Sequence, residues 1–299
     1  MTYRITHKTE YEYKGLVSVG NHALFMTPRA MPNQRCTSNT IRIWPTPATR
    51  RERLDYFGNQ MSFFTIQEPH ENLKVEAFSE VVIHADNGTR WPDRGMAWEQ
   101  VARSVATKLD RETLTAYQFI FESPRVRRRS EFAAYASQSF SSGRPLTEAL
   151  QALTARIHSD FRFDSKATNV RTPVEEFFRK RRGVCQDFAH FQIACLRSLN
   201  LPVRYVSGYL RTLPPPGRPR LTGADASHAW VSVYCPDVGW LDVDPTNNVV
   251  PSLSHVTLAW GRDYGDVSPM RGIILGGRDH TLKVAVDVEA VNDTVPRVP

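Results

Sequence analysis

The sequence predicts an α+β protein in which an antiparallel β domain precedes a mixed domain of helices and strands. Residues 1–85 carry strand patterns and no convincing amphipathic helix, and residues 86–199 carry mainly helical patterns. Alternating strand patterns return after residue 200. Strands and helices that are segregated along a chain are typical of α+β folds. The 299 residues suggest about two domains, at roughly 100–200 residues per domain.

The first 85 residues are predicted to form a β-sandwich-like domain. Residues 2–13 alternate, with Tyr3, Ile5, His7, Thr9, Tyr11 and Tyr13 on one face. Further strand patterns cover 38–44, 61–67 and 73–84, and prolines and Phe57-Gly58-Asn59 mark the turns between them. We interpret His7, His22 and His70 as packing or surface residues, because each stands alone in its strand pattern.

Residues 86–149 are predicted to form a helical connector. Apolar residues over 96–109 have helical spacing, and Ser130 could be the N-cap of a short helix through Phe140. Pro145 suits the first position of another helix, since its missing N–H costs nothing there. The apolar positions of that helix are Leu146, Leu150, Leu153 and Ile157.

A catalytic-type core is predicted over 150–290. Thr172 and Glu175 have the spacing of a capping box around Pro173, so a short helix should run to about Arg181 and turn near Gly183. Cys185 would then begin the next helix, which is apolar on most sides through Leu199 and should be buried. Strand patterns follow over 203–211, 228–235, 240–244 and, as a closing strand, 280–289.

Cys185 differs from the other cysteines in its position. Cys36, Cys195 and Cys235 read as inert core thiols, since cysteine is among the most buried residue types. A cysteine in the first turn of a helix instead meets free N–H groups and the positive end of the helix dipole, which favour the reactive thiolate. Spacing alone leaves both readings of Cys185 open, a nucleophile or a structural thiol.

His228 and a carboxylate on the following strand could complete a nucleophile, base and orienter set with Cys185. His228 begins its strand, and Asp242 and Asp244 share a face of the return strand. Asp244 can reach His228 only if an odd-length loop or a bulge at Gly239 places Tyr234 opposite Trp240. If Cys235 were opposite Trp240, Asp244 would point away from His228.

Several other polar residues lie near these three in sequence. Asp187 and His190 are interpreted as buried anchors of the helix start, and a metal site with Cys185 and His228 is the alternative. No metal-binding spacing supports that alternative, so we expect no metal and no cofactor. Tyr209, Arg211 and Trp230 could line a cleft or simply pack, and the loop 213–227 could shape the same cleft.

Composition excludes several classes of protein. No run of apolar residues is long enough for a membrane span, and the first eight residues lack a secretory signal, so we expect a cytoplasmic protein with no membrane partner. The net charge is +7, with basic runs at 125–129 and 179–182. These runs read as solvated faces, since no aromatic residues interleave with them, and we expect no nucleic-acid partner.

Four segments together resemble the transglutaminase-like superfamily: 183–190, 204–210, 227–231 and 239–248. The first 85 residues, with Asp55-Tyr56-Phe57-Gly58-Asn59, resemble the β domain that precedes this core in the bacterial subgroup. Gly261-Arg262-Asp263-Tyr264-Gly265-Asp266-Val267 also fits that subgroup.

The resemblance implies a papain-like core, in which a central helix packs on an antiparallel sheet. It also implies Cys185 as nucleophile, His228 as base and acid, and Asp244, directly before Pro245, as orienter. We expect a thiol-dependent hydrolase of a peptide, isopeptide or other amide bond. Acyl transfer to an amine, as in transglutaminases, is the alternative, although the sequence has no acidic calcium loop. A non-catalytic peptide-binding scaffold is the second alternative.

Overall fold

A computed structural model describes residues 1–85, 95–212 and 226–291. In these ranges the chain forms strands and α-helices in an α+β arrangement, as predicted. The strands are β1 (Thr2–Leu24), β2 (Gln34–Trp44), β3 (Thr49–Leu54), β4 (Gln60–Ile66), β5 (His70–Ile83), β6 (Arg162–Phe163), β7 (Arg182–Gly183), β8 (Val203–Leu210), β9 (Ala226–Cys235), β10 (Gly239–Val243), β11 (His255–Gly261), β12 (Met270–Gly276) and β13 (His280–Ala290). The helices are α1 (Trp98–Thr107), α2 (Arg111–Tyr117), α3 (Ser130–Ser137), α4 (Leu146–Asp160), α5 (Val174–Lys180), α6 (Cys185–Ser198) and α7 (Tyr264–Val267).

The first sheet is organised around the long strand β1. Its order is β2-β5-β1-β4-β3, and β12 and β13 also pair with β1. The predicted alternation is confirmed, since Tyr3, Ile5, His7 and Thr9 are all buried. The register with β5 shifts between Glu12 and Val17, so β1 pairs with β13 before the shift and with β4 and β12 after it.

The last two strands belong to this first sheet by hydrogen bonding. The predicted closing strand exists as β13 and runs antiparallel to β1, with Tyr3 opposite Ala290 and Tyr13 opposite His280. The sequence interpretation grouped it with the core of 150–290, and β12 was not predicted. Alternation identifies a strand but says nothing about which strand it pairs with, so the partner depends on tertiary structure.

The helices of the connector largely match their predicted positions. α1, α3 and α4 lie near their predicted positions. Arg129 rather than Ser130 is the N-cap of α3, which ends at Ser137, and Pro145 is the N-cap of α4 rather than its first residue. The short helix α2 and the 3-10 turn that follows it were not predicted. Residues 86–94, at the beginning of the predicted connector, lie outside the described residues. Residues 213–225 of the predicted cleft loop also lie outside them.

The turn into α6 differs from the prediction in its chemistry. Pro173 is the N-cap of α5 and makes no side-chain cap bond, so the predicted capping box at Thr172 does not form. The side chain of Glu175 instead accepts a bond from Arg129 Nε at 3.2 Å. α5 ends at Arg181, whose φ of 55° is left-handed, and the Arg181 N–H donates to the carbonyl of Phe177.

Asp187 fixes the start of α6. Its Oδ2 accepts a bond from the backbone N–H of Val184 at 2.8 Å and one from the Thr168 hydroxyl at 2.6 Å. A Cβ at Gly183 would lie 2.5 Å from this oxygen, so only glycine fits there without a shift. The prediction that Asp187 anchors the helix start is confirmed, and the result is a fixed position for Cys185.

The second sheet carries the other candidate residues. Its strand order is β10-β9-β8-β11, all pairs are antiparallel, and α6 packs against β8 and β9. Tyr234 lies opposite Trp240, which confirms the predicted register. Gly239, at φ 90°, pairs with Cys235 and closes a loop of odd length. The strand β11, which pairs with β8, was not predicted from the sequence.

No helix in the described ranges is both long enough and apolar enough to span a membrane.

Replacing Asp187 should loosen the start of α6. We expect Asp187→Ala to lower the free energy of unfolding by about 1–2 kcal/mol, because Val184 loses its capping acceptor. Chemical denaturation of the variant and wild type measures this change. Asp164→Ala is the control and should cost less, because this partly exposed carboxylate accepts one loop N–H and lies 3.9 Å from the exposed Arg182 Nη1. Equal losses in the two variants would contradict the assigned role.

Acid should destabilise the fold through His7. Burial lowers the pKa of His7 from 6.5 to about 4, so the unfolded chain takes up the proton first as pH falls. The His7 contribution is therefore complete above pH 6.5 and is lost as pH falls toward about 4. Between about pH 7 and pH 5 we expect it to account for ~1–2 kcal/mol of unfolding free energy.

Denaturation at the two pH values tests this expectation. His7→Gln should reduce the pH-dependent loss of stability, whereas His84→Gln, on an exposed residue, should leave it unchanged. An identical pH dependence in wild type and His7→Gln would show that the proton is taken up elsewhere.

Candidate active site

Cys185 is the first residue of α6 and is partly exposed. Its backbone N–H has no hydrogen-bond partner among the residues that the structure describes. The first N–H groups of a helix have no acceptor within the helix, so this one is available to an external oxygen atom. The thiol and a hydrogen-bond donor thus lie at the same helix end.

His228 bridges the thiol and a carboxylate. Its Nε2 lies 2.7 Å from Asp244 Oδ2, and its ring also forms a hydrogen bond with the Cys185 thiol. Because Asp244 holds Nε2, Nδ1 is the nitrogen left for the thiol. Burial lowers the pKa of His228, but the bonds to Asp244 and Cys185 outweigh it and raise the pKa to about 10. The imidazolium form is therefore favoured at neutral pH.

The Asp244 carboxylate is fully buried and surrounded by donors. Its Oδ1 accepts the backbone N–H groups of Thr246 and Asn247, at 2.9 Å and 3.2 Å. Its Oδ2 accepts the Asn247 amide at 2.7 Å in addition to His228. Burial alone would raise the pKa of Asp244, but these bonds hold it well below its usual range. The Asp-Pro-Thr-Asn turn supplies most of these donors locally.

Asp242 and Trp230 lie beside this set without joining it. Asp242 Oδ2 accepts the indole N–H of Trp230 at 3.1 Å. The Trp230 ring is fully buried and stacks on the His228 ring, with centroids 6.2 Å apart. Of the two carboxylates considered from the sequence, Asp244 contacts His228.

The remaining predicted residues contact partners outside this set. The buried His190 accepts the backbone N–H of Tyr264 at 3.1 Å, and burial lowers its pKa to about 3, so it links α6 to α7 as a neutral ring. Tyr209 is buried and its hydroxyl pairs with His7 Nδ1 at 2.8 Å. Arg211 approaches the face of Tyr3, and its N–H donates to the Ser254 carbonyl.

His255 is a member of the cluster that sequence reasoning missed. Its Nε2 lies 3.2 Å from Asp244 Oδ2, and it is buried on β11. The available signal was the alternation of His255, Thr257 and Ala259 with Val256, Leu258 and Trp260, which was not interpreted as a strand. Partnership with Asp244 depends on pairing of β11 with β8, which no local pattern predicts.

His228, Asp244 and His255 are also the described residues that could hold a metal ion, with ligand atoms within 4.8 Å of one another. The carboxylate accepts two donors on Oδ1 and three on Oδ2. A carboxylate has about four lone-pair sites, so a metal would have to displace existing donors. The donor set thus fits a hydrogen-bonded cluster better than a metal centre.

A cavity of about 490 Å³ opens at Cys185 and His228. The first sheet forms its opposite wall through residues of β1 and β13, which are His7, Thr9, Tyr11, Leu282, Val284 and Val286. The core contributes the largely exposed ring of Phe163, as well as Tyr205 and Tyr264. None of the described residues that line it is acidic. The N-terminal region therefore lines the cavity together with the core.

The other three thiols have surroundings that disfavour reaction. Burial raises the pKa of Cys235 to about 12 and the pKa values of Cys36 and Cys195 above their usual range. A thiol is unreactive in its protonated form, so the surroundings of Cys36, Cys195 and Cys235 disfavour reaction at these three residues.

Comparison with known proteins identifies both halves of the chain. Residues 3–82 match the bacterial transglutaminase-like N-terminal region, and residues 133–245 match the transglutaminase-like superfamily core. An uncharacterised Mycobacterium tuberculosis protein is 38% identical over 96% of this chain and 92% of its own length. A protein-glutamine gamma-glutamyltransferase of Pseudomonas aeruginosa is 36% identical over 34% of this chain, which is 16% of that protein.

The fold is shared with a solved structure. A candidate cysteine protease from Cytophaga hutchinsonii superposes with a TM-score of 0.74, at 21% identity, over 99% of this chain and 93% of that one. Two matched regions, a relative aligned along nearly its whole length and a common fold lead to one conclusion: the chain belongs to the transglutaminase-like superfamily, in the form that carries the bacterial N-terminal region.

Proposed function

We propose that the protein is a thiol-dependent enzyme that hydrolyses an amide bond of a peptide, isopeptide or related substrate. Cys185 would be the nucleophile, His228 the base and acid, and Asp244 the orienter. The observation that carries the proposal is the hydrogen-bonded series from the Cys185 thiol through His228 to Asp244, at the edge of a cavity. Membership of the superfamily supports an enzyme of this kind.

In the first step the Cys185 thiolate attacks the carbonyl carbon of the amide. The developing oxyanion accepts the free N–H of Cys185, whose position at the helix end also favours negative charge. The His228 imidazolium then donates its proton to the leaving nitrogen as the C–N bond breaks. A thioester on Cys185 and a free amine result.

In the second step His228, now neutral, takes a proton from water as the water attacks the thioester. The C–S bond breaks, the carboxylic acid leaves and the thiolate is restored. Asp244 remains charged throughout and stabilises the imidazolium. The second histidine on the same carboxylate, His255, would act through Asp244 as a positioning residue.

Two features favour water over an amine as the acceptor. Cys185 is partly exposed, so solvent can reach the thioester. A carboxylate near the thiol would help to bind an amine substrate in its ammonium form, and none of the described lining residues supplies a carboxylate. The walls are mainly apolar, which favours a substrate with apolar groups beside the scissile bond.

Acyl transfer to an amine is the second candidate function. Its support is the similarity to the Pseudomonas aeruginosa protein named as a gamma-glutamyltransferase. The chemistry to the thioester is shared, so the two candidates differ only in the final acceptor.

Alkylation should single out Cys185. We expect iodoacetamide to modify Cys185 faster than the other three cysteines, since His228 favours its thiolate. His228→Ala should slow the reaction at least about tenfold, because the neighbouring positive charge is lost. Peptide mapping by mass spectrometry measures both effects, with Cys185→Ala as the control that removes the labelled peptide. Equal labelling of all four thiols at ordinary rates would favour a non-catalytic scaffold.

Product analysis separates hydrolysis from transfer. A screen of peptide and amide substrates should find turnover that falls about 10³-fold or more in Cys185→Ala. With an active substrate and excess primary amine, we expect the free acid to remain the main product by mass. Incorporation of the amine at the expense of free acid would overturn the preference for hydrolysis.

A further inference from the structure

A second and larger cavity lies away from Cys185. Its volume is about 1120 Å³, and none of its described lining residues also lines the cavity at the thiol. It is bounded by the segment after β1, by α2 and by the strands β10 and β11. Its walls are rich in aromatic rings, namely Tyr56, Phe57, Phe119, Trp240 and Trp260.

Two arginines and two tryptophans form a stack along this cavity. The Arg204 guanidinium lies 3.7 Å from the centre of the Trp260 ring and 4.1 Å from that of Trp240. The Arg29 guanidinium lies 3.5 Å from the same Trp260 centre. Two cations cannot both occupy one face at such distances, so Arg29 and Arg204 cover opposite faces of Trp260.

The Arg204 side chain is buried without a hydrogen-bonded partner among the described residues, although the Asp242 charge lies near enough to favour the cation. Arg204 is only 8% exposed. Among the described residues, no hydrogen bond or ion pair reaches its guanidinium, and its Nε is buried without an acceptor. Stacking covers the two faces of the group but leaves its in-plane N–H donors unmatched. A buried charge in this condition is costly unless something else binds it.

Arg197 shows that the same fold supplies acceptors to the Nη atoms of a buried guanidinium elsewhere, although the Arg197 Nε, like that of Arg204, has no acceptor among the described residues. Its Nη2 donates to the carbonyls of Val203 and Arg262, at 2.8 Å and 2.7 Å, and its Nη1 to Ser123. The donors of Arg204 therefore differ from those of a purely structural arginine. Arg197 is held by hydrogen bonds, whereas Arg204 is held by stacking on two tryptophan rings.

The acidic groups near the cavity are already engaged. Asp242 lines it, accepts the indole N–H of Trp230 and favours the charge of Arg204. Asp55 accepts bonds from Phe57 and Asn59 and favours the charge of Arg29. Arg29 Nη1 donates one hydrogen bond to Asn59. Besides Arg29 and Arg204, the exposed Arg111 is a third positively charged residue that lines the cavity. The described residues that line the cavity therefore carry more positive than negative charge.

We propose that this cavity binds an organic carboxylate with an apolar or aromatic body. The edge of the Arg204 guanidinium can donate two parallel N–H bonds to a planar carboxylate, the geometry for which arginine is suited. The body would pack among the aromatic walls. A free small-molecule acid and the C-terminal carboxylate of a peptide share this chemistry.

Binding of phenylacetate tests the proposal, with neutral phenylacetamide as its matched control. Because Trp240 and Trp260 line the cavity, we expect phenylacetate to change tryptophan emission saturably and phenylacetamide to bind at least about tenfold more weakly. Arg204→Gln should weaken phenylacetate binding by a similar factor. Arg42→Gln, on an arginine that faces Phe78 outside the cavity, should leave it unchanged.

A second arginine variant and a pair of peptides complete the test. Arg29→Gln serves if Arg204→Gln fails to fold, as judged by circular dichroism, and should also weaken binding. A short peptide ending in phenylalanine, compared as free acid and C-terminal amide, separates the two sources: tighter binding of the peptide acid than of phenylacetate indicates a peptide terminus. Absence of saturable phenylacetate binding, equal affinity for the acid and its amide, or unchanged binding in the folded arginine variants would overturn the proposal.

Discussion

The buried Asp244 carboxylate is the constraint on which the candidate site depends. A charge removed from water must be matched by donors, and five converge on it from three sources: two histidine rings, an asparagine amide and two backbone N–H groups. Those donors come from β9, from the turn after β10 and from β11. The second sheet must therefore be assembled in one register before the His228 ring is oriented.

A second constraint fixes the thiol relative to that ring. The Asp187 carboxylate caps α6 and reaches across Gly183 to Thr168, so the turn before Cys185 has little freedom. α6 packs on β8 and β9, and this contact brings the helix start to His228. The series of thiol, imidazole and carboxylate thus results from one capped helix on one sheet.

The first sheet links the ends of the chain around the site. β13, near the C-terminus, pairs with β1, near the N-terminus, and both supply one wall of the cavity at Cys185. On another side, Arg29 stacks on Trp260, while Asn59 accepts and donates bonds with the Trp260 backbone. These contacts couple the N-terminal region to β11, which also carries His255.

The sequence by itself determined the features that are local in the chain. Neighbouring residues predict the alternation of residues 2–13 and the buried helix that begins at Cys185. They also predict the loop of odd length that places Tyr234 opposite Trp240. Only tertiary structure decided that β13 pairs with β1, that His255 approaches Asp244 and that Arg204 lies between two tryptophans. Those contacts join residues far apart in the chain, and their energy depends on burial and pairing that no local pattern of side chains records.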